Sequence, residues 1–463
     1  MSVNSFRKGM VAEQAHKGGF TLCPSGHKNA RGLTACAVCS LPLIEFKEEL
    51  ASAIQLIRSL TAVFSRSKEI VRFGFGRTGS KLLLNFLAGQ GNRVSSLNFL
   101  AIGADEGDEK VFKDWLSEVH TREDIDRISR TALHRLKRSK DKGGGVWSTT
   151  LKSATKDNQL EDKIRRIGVS ESVEDQITIF FASLGENIAS GVGPLILARI
   201  KDINPDASGI VFAMLPSEED TDQTHFNAYC ALSRFVKSEQ RLADILIVSQ
   251  GDALRKMIGI DRSGRRLGSD ILIPRIVDLI FGQDEVDLSE IVRLARSYRV
   301  RVFSPVYAYG RSYEIYDKIG NILDHAISFP LSPFDYDSVV LSIAIARVPE
   351  KIVAKAGEKQ LQEQFNEWNR KRFPVLKGTS FQVVRVNENS DRIDVLLLLG
   401  GSSVADIIKP NKDPYKRFSA YIENLDLWDE FALTEEQLKK ISSGIDLYDK
   451  GMVRLIRKTA SPT

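Results

Sequence analysis

The feature that most constrains the fold lies at residues 177–200, where the chain reads ITIFFASLGENIASGVGPLILARI. An apolar strand leads into a segment with glycines at 185, 191 and 193, and a helical pattern follows at 192–202. A glycine turn between a strand and a helix directs backbone N–H groups and the helix N-terminus toward one point, which is how proteins hold phosphate. The segment therefore predicts an α/β domain with a phosphate-binding turn.

Other apolar runs alternate with helical patterns in the same way. They occupy residues 69–73, 97–105, 209–215 and 244–249. Strands that alternate with helices form a parallel sheet through crossover connections, so we expect a Rossmann-type nucleotide domain. After Leu254 the pattern changes to a long helical segment at 267–281 followed by four strands, which indicates a mixed α+β second domain.

Composition limits the classes of function. With 463 residues the chain is long enough for two or three domains. Its net charge of +5 is far from that of a dedicated nucleic-acid binder. No run of about 18 or more apolar residues occurs, so no membrane span is expected, and the N-terminus lacks the apolar core of a secretory signal. Three of the four cysteines cluster, which indicates a metal site in a reducing cytoplasm rather than a disulfide framework.

These cysteines belong to a short module near the N-terminus. The pattern CPSGH-x8-CAVC places Cys23, His27, Cys36 and Cys39 at a spacing typical of a zinc site. Four protein ligands leave no open coordination position, so the Zn²⁺ would be structural. The segment resembles the small zinc ribbons of the form CPxGHxN…CxxC, with Asn29 matching as well, and such ribbons commonly dock protein partners. Buried cysteines without a metal, and another ligand in place of His27, remain alternatives.

A second glycine motif, GFGRTG at residues 74–79, follows the strand at 69–73 and precedes a helix. Alone it fits a phosphate-binding turn, a dinucleotide site in which Asp105 holds a ribose, or a plain tight turn. A dinucleotide enzyme has no need of another glycine turn after a later strand, whereas this chain has one at 185–191. The two turns together favour a nucleotide-dependent assembly protein over a nicotinamide-dependent oxidoreductase.

These motifs resemble those of tubulin and its bacterial relative FtsZ. The family's signature turn is GGGTGSG, and GENIASG occupies the corresponding place here, with a matching strand before it and GxGP after it. Residues 225–257 resemble the helix, strand and loop that lead to the guanine pocket, most of all in the archaeal CetZ branch. Residues 276–291 resemble the end of the family's central helix and its catalytic loop. The resemblance extends over residues 68–420.

The resemblance implies GTP or GDP as the bound nucleotide and leaves Mg²⁺ as a candidate cation. The nucleotide-binding positions that it implies are Gly74, Gly76, Arg77, Thr78, Gly79, Asp105, Gly144, Gly145, Gly185, Glu186, Asn187, Ile188, Ala189, Ser190, Gly191, Asp220, Gly251 and Asp252. Both GTP and ATP stay open, because Gly251 and Asp252 stand where the family usually has a guanine-reading Asn.

The resemblance also implies a partner, which is a second copy of the chain. Copies of the family join head to tail into cytoplasmic, cytoskeletal filaments, and an acidic loop of one subunit activates water on the nucleotide of the next. Asp287 and Glu290 match the acids of that loop and are the implied catalytic residues. The alternative is that DEVDLSE at 284–290 is only a solvated helix start, where acids are favoured by the helix dipole.

Four residues differ from the family's glycine-rich turn, Glu186, Asn187, Ile188 and Ala189; of these, Glu186 adds a negative charge and Ile188 a branched side chain. A carboxylate near phosphate is repulsive unless it turns outward or binds a cation. A second hypothesis therefore stands beside the filament-forming GTPase. It is a degenerate tubulin-like scaffold or adaptor that hydrolyses nothing and docks partners through its zinc ribbon.

The expected organisation has six segments. They are a zinc ribbon at 20–42, a linker helix at 43–67, a nucleotide-binding domain at 68–255, a central helix at 256–284, an activation domain at 285–420 and C-terminal helices at 421–463. The last segment contains a T-x-x-Q capping box, in which Thr434 and Gln437 would cap a helix.

Overall fold

The computed structural model describes residues 20–22, 28–30, 33, 36–38, 70–90, 98–103, 110, 114, 132–136, 145–169, 173, 175–237, 242–261 and 263–460. The chain forms two compact units, Met1–Arg66 and Ser67–Thr463. The linker helix expected at 43–67 lies outside the described residues.

In the first unit, two short strands form an antiparallel pair. β1 is Phe20–Leu22 and β2 is Lys28–Ala30, with Thr21 opposite Asn29. Asn29 is buried, and its Oδ1 accepts a hydrogen bond from the Ala37 N–H at 2.9 Å. The Asn29 side chain therefore holds the segment around Cys36 against this hairpin.

The described strands of the second unit form one large sheet and one small hairpin. They are β3 Ile70–Phe75, β4 Asn98–Gly103, β5 Leu133–Arg135, β6 Ile177–Ser183, β7 Ser208–Met214, β8 Ile245–Ser249, β9 Gly259–Ile260, β10 Arg266–Leu267, β11 Val302–Ser312, β12 Leu341–Pro349, β13 Gly378–Val386 and β14 Arg392–Gly400. The hairpin consists of β9 and β10, and the ten-stranded sheet has the order β13-β12-β14-β11-β8-β7-β6-β3-β4-β5.

Strand direction divides the large sheet into two halves. From β5 to β11 every neighbouring pair is parallel. In the other half, β14 pairs antiparallel with both β11 and β12, and β12 pairs parallel with β13. The predicted parallel sheet and the predicted mixed α+β part are thus confirmed, and they form one continuous sheet.

The described helices of the second unit lie between these strands, except for the last three, which follow β14. They are α1 Gly76–Gly89, α2 Trp147–Thr155, α3 Asn158–Arg166, α4 Asn187–Ile203, α5 Asp222–Val236, α6 Gly251–Lys256, α7 Ser269–Phe281, α8 Leu288–Tyr298, α9 Tyr313–Tyr316, α10 Ile319–Ala326, α11 Glu350–Ala356, α12 Glu358–Arg372, α13 Val404–Ile407, α14 Lys409–Asn424 and α15 Glu435–Ala460. Within the described ranges, none of the helices has the length and apolar character needed to cross a bilayer.

The predicted capping box begins α15. The Thr434 N–H donates to Gln437 Oε1 at 2.9 Å, and the Gln437 N–H donates to Thr434 Oγ1 at 3.2 Å. Each side chain thus satisfies a backbone donor that the helix leaves unpaired. This prediction is confirmed.

The pattern of buried residues differs between the parallel half and the mixed half of the large sheet. The central strands β6, β7 and β8 are buried almost throughout, which is typical of parallel strands covered on both faces. In the mixed half the pattern alternates: Ile343 and Ile345 of β12 belong to the larger hydrophobic cluster, whereas Ala344 and Ala346 belong to a second one. The mixed half therefore lies between two apolar layers.

Two helices differ from the sequence-based expectation. α4 begins at Asn187 rather than at 192, so most of GENIASG forms the first turns of a helix and not a loop. The segment 256–284, expected as a central helix, contains the β9–β10 hairpin before the helix α7.

Candidate functional site

The first glycine turn, residues 74–79, joins β3 to α1 through close backbone contacts. Gly76 begins α1 with a φ of +64°, a conformation that glycine adopts without strain. A Cβ atom on Gly79 would lie 2.2 Å from the carbonyl oxygen of Phe181 on β6. Both positions therefore require glycine, and α1 begins directly beside β6.

The second glycine turn, residues 185–191, follows β6, and from Asn187 onward it forms the first turns of α4. Pro194 has no N–H to donate to the Ser190 carbonyl four residues earlier, so this helix carbonyl lacks its backbone donor. Nη1 of Arg234 donates to the Ser190 oxygen at 2.9 Å. The guanidinium of Arg234 thus replaces the missing backbone hydrogen bond and supports the start of α4.

Arg234 belongs to α5 and is held in place by Trp147. Its guanidinium carbon lies 4.8 Å from the centroid of the Trp147 ring, a cation–π distance. Burial lowers the pKa of Arg234 to about 10, so the group stays charged at neutral pH. A positive charge is therefore fixed beneath the first turns of α4.

The two glycine turns meet at the carboxylate of Glu186, the N-cap residue of α4. Its Oε1 accepts hydrogen bonds from the Thr78 N–H at 3.0 Å and from the Thr78 hydroxyl. A Cβ atom on Gly76 would lie 1.9 Å from the other oxygen, Oε2. The N-terminus of α1 thus contacts a negative charge that the N-cap residue of α4 supplies. We call the point where Thr78 meets Glu186 the anion site, since a phosphate there would need the same donors.

Asn227 of α5 joins the segments around this site. Its Nδ2 donates to the carbonyl oxygens of Gly145 at 2.9 Å and of Gly185 at 3.1 Å. Its Oδ1 accepts from the Trp147 N–H at 2.9 Å. Asn227 therefore fixes the second glycine turn to the start of α2.

Sequence reasoning missed both Asn227 and Arg234 as site residues. They are seven positions apart in a buried helix, which places them on one face. A pair of polar residues at this spacing in such a helix is the signal that could have identified them.

The predicted ribose and base positions lie after β7 and β8. Asp220 Oδ2 accepts from the Ser217 N–H at 2.8 Å, and Asp252 Oδ2 accepts from the Glu218 N–H at 2.9 Å. Gly251 packs on the same segment, because a Cβ there would lie 2.6 Å from Ser217 Oγ. These residues are at the edge of the parallel sheet where the glycine turns also lie, since the carboxyl ends of parallel strands share one edge.

The remaining predicted nucleotide positions differ in exposure. Arg77 is exposed in the first turn of α1. Ile188, Ala189 and Ser190 are buried, so their side chains pack inside the protein. Asp105 and Gly144 lie outside the described residues.

The predicted catalytic acids stand at the start of α8. Asp287 is the N-cap residue, and its Oδ1 accepts from the Glu290 N–H at 2.9 Å. Gln382 of β13 holds the same segment: its Oε1 accepts from the Asp287 N–H at 2.8 Å, and its Nε2 lies 3.4 Å from Glu290 Oε2. Within one copy, Asp287 therefore has the role of a helix cap, and its side chain is exposed.

The acidic segment, residues 284–290, lies at the opposite end of α1 from the anion site. Thr78 is in the first turn of α1, and Gln90 is its C-cap residue. Nε2 of Gln90 lies 3.4 Å from Oδ1 of Asp278, close to the end of α7, and the acidic segment follows α7. Because an α-helix rises about 1.5 Å per residue, the stretch from Thr78 to Gln90 spans about 18 Å. The acids of one copy therefore do not reach the anion site of that copy.

Of the four predicted zinc ligands, Cys36 is the one that lies among the described residues. It is buried, and its Sγ accepts a hydrogen bond from the Val38 N–H at 3.4 Å. The role of Cys36 as a zinc ligand stays a prediction. Cys23, His27 and Cys39 lie outside the described residues, and among those described no group of three or more His, Cys, Asp or Glu could hold a metal ion.

No protein-family model and no curated protein matches this sequence. Two solved CetZ structures are similar to it. CetZ1 from Haloferax volcanii, solved as a GDP-bound monomer, has a TM-score of 0.57 and 19% sequence identity, and the match covers 76% of this chain and 99% of that chain. CetZ from Methanosaeta thermophila strain DSM 6194 has a TM-score of 0.55 and 13% identity, with 82% of this chain and 99% of that chain covered. The chain therefore has the tubulin/FtsZ fold, in a form similar to that of the CetZ proteins.

Proposed function

We propose that this chain is a tubulin-like nucleotide-binding protein that assembles head to tail, with GTP or GDP at the anion site. The proposal rests on two features at opposite ends of α1. The anion site lies at the N-terminus of this helix, and the acidic segment lies near its C-terminus. One copy thus has an incomplete site, and a second copy placed head to tail would complete it. The GDP bound to the similar CetZ1 supports a guanine nucleotide.

The residues at both ends of α1 have side chains and backbone groups that suit this function. The N-termini of α1 and α4 would bind phosphate oxygens through backbone N–H groups. Bound GTP supplies the γ-phosphate, whose charge a Mg²⁺ ion would partly neutralise. Asp287 and Glu290 of the next copy would orient a water molecule toward that phosphate. Asp220, Gly251 and Asp252 would lie toward the ribose and base.

Glu186 favours a second candidate function. Its carboxylate already occupies the anion site, and a carboxylate beside phosphate is repulsive. A chain that keeps its own anion there would retain the fold and the contacts between copies but would hydrolyse nothing. It would act as a scaffold or adaptor.

For the first unit, we propose that Cys23, His27, Cys36 and Cys39 bind one structural Zn²⁺ and that the ribbon docks a protein partner. The support is the buried Cys36 with its N–H···S hydrogen bond, together with the buried Asn29 that holds its segment. Thiolate ligands of this kind persist in a reducing compartment, which fits a cytoplasmic protein.

Hydrolysis of GTP at increasing protein concentration separates the two candidate functions. If a second copy completes the site, turnover per subunit rises with concentration, and GTP increases the fraction of protein that sediments. Asp287→Ala is expected to lower turnover about 100-fold or more, because water loses its activating carboxylate. Glu285→Ala, which removes an exposed acid of the same segment, is the matched control and should stay close to wild type.

The alternative outcomes are distinct. A chain that sediments equally with and without GTP and releases no phosphate even at high concentration would be the scaffold. A chain that stays monomeric at every concentration, with or without nucleotide, would contradict both candidates.

A further inference from the structure

We infer that the Glu186 carboxylate is an intramolecular ligand of the anion site, which an entering phosphate group must displace. The identity of the competitor as a nucleotide rests on the proposed function. The contact itself is part of the structure: Glu186 Oε1 accepts from both the N–H and the hydroxyl of Thr78, a residue 108 positions earlier in the chain.

Helix α1 needs this acceptor because its own N-cap residue cannot provide one. That residue is Phe75, whose side chain makes no capping hydrogen bond. The first N–H groups of a helix have no acceptor within the helix, and a negative charge near them is favourable. Glu186 therefore does for α1 what a Ser or Asp N-cap does for other helices.

The geometry lets the side chain leave without moving the backbone. The Glu186 carbonyl accepts from the Ser190 N–H at 3.0 Å and from the Ser190 hydroxyl at 2.8 Å, and these bonds fix the start of α4. Gly76 has no side chain, which leaves the space that Oε2 occupies. Rotation about the side-chain torsions of Glu186 would thus open the anion site while both helices stay intact.

The affinity of the site for phosphate consequently depends on the charge of residue 186. A phosphate oxygen and the carboxylate compete for the same Thr78 donors. If both groups were beside Thr78, their negative charges would repel each other. The apparent affinity of the wild-type chain is reduced by the fraction of molecules in which Glu186 occupies the site. When the ligand leaves, the carboxylate returns and caps α1 again.

Thermal unfolding without nucleotide tests the contact directly. Glu186→Ala removes both the acceptor and the charge, whereas Glu186→Gln keeps an acceptor oxygen without the charge. In chloride buffer, Glu186→Ala should melt roughly 2 °C below wild type, as expected for a lost helix cap. Added inorganic phosphate should raise the Tm of both variants more than that of wild type. Glu350→Ala, which removes an exposed acid from the first turn of α11, is the control and should respond as wild type does.

Calorimetric titration with GDP extends the test to the nucleotide. Both Glu186 variants should bind GDP about tenfold more tightly than wild type, because the competing charge is gone. Equal GDP affinity in all three proteins would overturn the competition and leave nucleotide binding intact. Selective stabilisation of the variants by phosphate, without GDP binding to any form, would support the inference and overturn the nucleotide function. If the Tm of both variants equals that of wild type and phosphate raises all three equally, the inference is overturned whatever the GDP result.

Discussion

At the scale of single residues, Gly79 packs against a backbone atom of the site, the carbonyl oxygen of Phe181. That oxygen belongs to the backbone of the central strand β6 and cannot turn aside, so a Cβ atom placed 2.2 Å from it must push α1 away. Gly79→Ala is expected to lower the free energy of unfolding by about 2 kcal/mol or more through overpacking. Urea unfolding of the purified variant measures this loss.

Gly451→Ala is the matched control for this substitution. Gly451 lies in α15, and nothing lies within 4 Å of a Cβ atom added there. Alanine should therefore raise the free energy of unfolding by about 0.5–1 kcal/mol, because it favours the helix more than glycine does. A similar loss at both positions would show that the packing argument for Gly79 is wrong.

Single residues also mark the limit of what the sequence could predict. The glycine motifs indicate two turns because glycine at such spacing has a local structural reason. The contacts of Glu186 with Thr78 and of Asn227 with Gly145 join residues that are far apart in the chain. No local pattern specifies such a pair, so the sequence predicts the turns but not the carboxylate between them.

At the scale of elements, Asp244 connects the ends of three elements next to β8. Its Oδ1 accepts from Arg296 Nε of α8 at 2.8 Å. Its Oδ2 accepts from the Gly209 N–H of β7 at 2.9 Å and from Lys201 Nζ of α4 at 3.3 Å. Burial opposes ionisation of Asp244, but the Arg296 hydrogen bond and the Lys201 charge outweigh it and hold the pKa of this carboxyl below its usual 3.8.

Stability should therefore depend on the ionised form of Asp244. A carboxyl whose pKa is lowered by folding stabilises the protein above its unfolded pKa, and this contribution is lost as the pH falls through the folded pKa. Asp244→Asn is expected to lower the free energy of unfolding by about 2 kcal/mol at neutral pH. The difference from wild type should shrink as the pH falls below 3.8.

Urea unfolding at neutral and acidic pH measures both parts of this prediction. Asp162→Asn, which changes an exposed acid on α3, is the control and should stay within about 0.5 kcal/mol of wild type. A difference between Asp244→Asn and wild type that grows on acidification would contradict the sign derived from the lowered pKa.

Helix α4 shows why some element boundaries escape prediction. Gly191, Gly193 and Pro194 are residues that interrupt helices in an isolated segment. In the folded chain Arg234 of α5 donates to the carbonyl that Pro194 leaves unpaired, so the helix continues through them. The strands, in contrast, were predictable because their apolar runs reflect burial along the strand itself.

At the scale of the whole molecule, the Cys/His module belongs to a compact unit of its own. The purified chain is expected to contain about one zinc ion, measured by elemental analysis. Cys39→Ser should lose this zinc and leave the unfolding of the second unit unchanged. Cys230→Ala is the control: burial raises the pKa of the Cys230 thiol, which disfavours the metal-binding thiolate, so this variant should retain zinc. Full zinc content in Cys39→Ser would contradict the ligand assignment.

The sequence also does not predict the order of the strands in the large sheet. β14 lies between β11 and β12, and β11 joins the mixed half to β8 through the pairs Val302–Leu246 and Phe303–Ile247. The change of pattern after Leu254 predicts two kinds of sheet, but it contains no information on whether they are continuous. Long-range pairing decides that, and a single sequence does not display it.

Helix α1 would make any linear array of copies polar. At one terminus the last copy would hold a ligand that no neighbour's acid can reach, and at the other the last copy would expose Asp287 and Glu290 to solvent. In the proposed filament, fresh ligand would exchange only at the first terminus, and the ligand of the older subunits inside the array would be the one that reacts. The state of the bound ligand would therefore vary along the array with the age of each subunit.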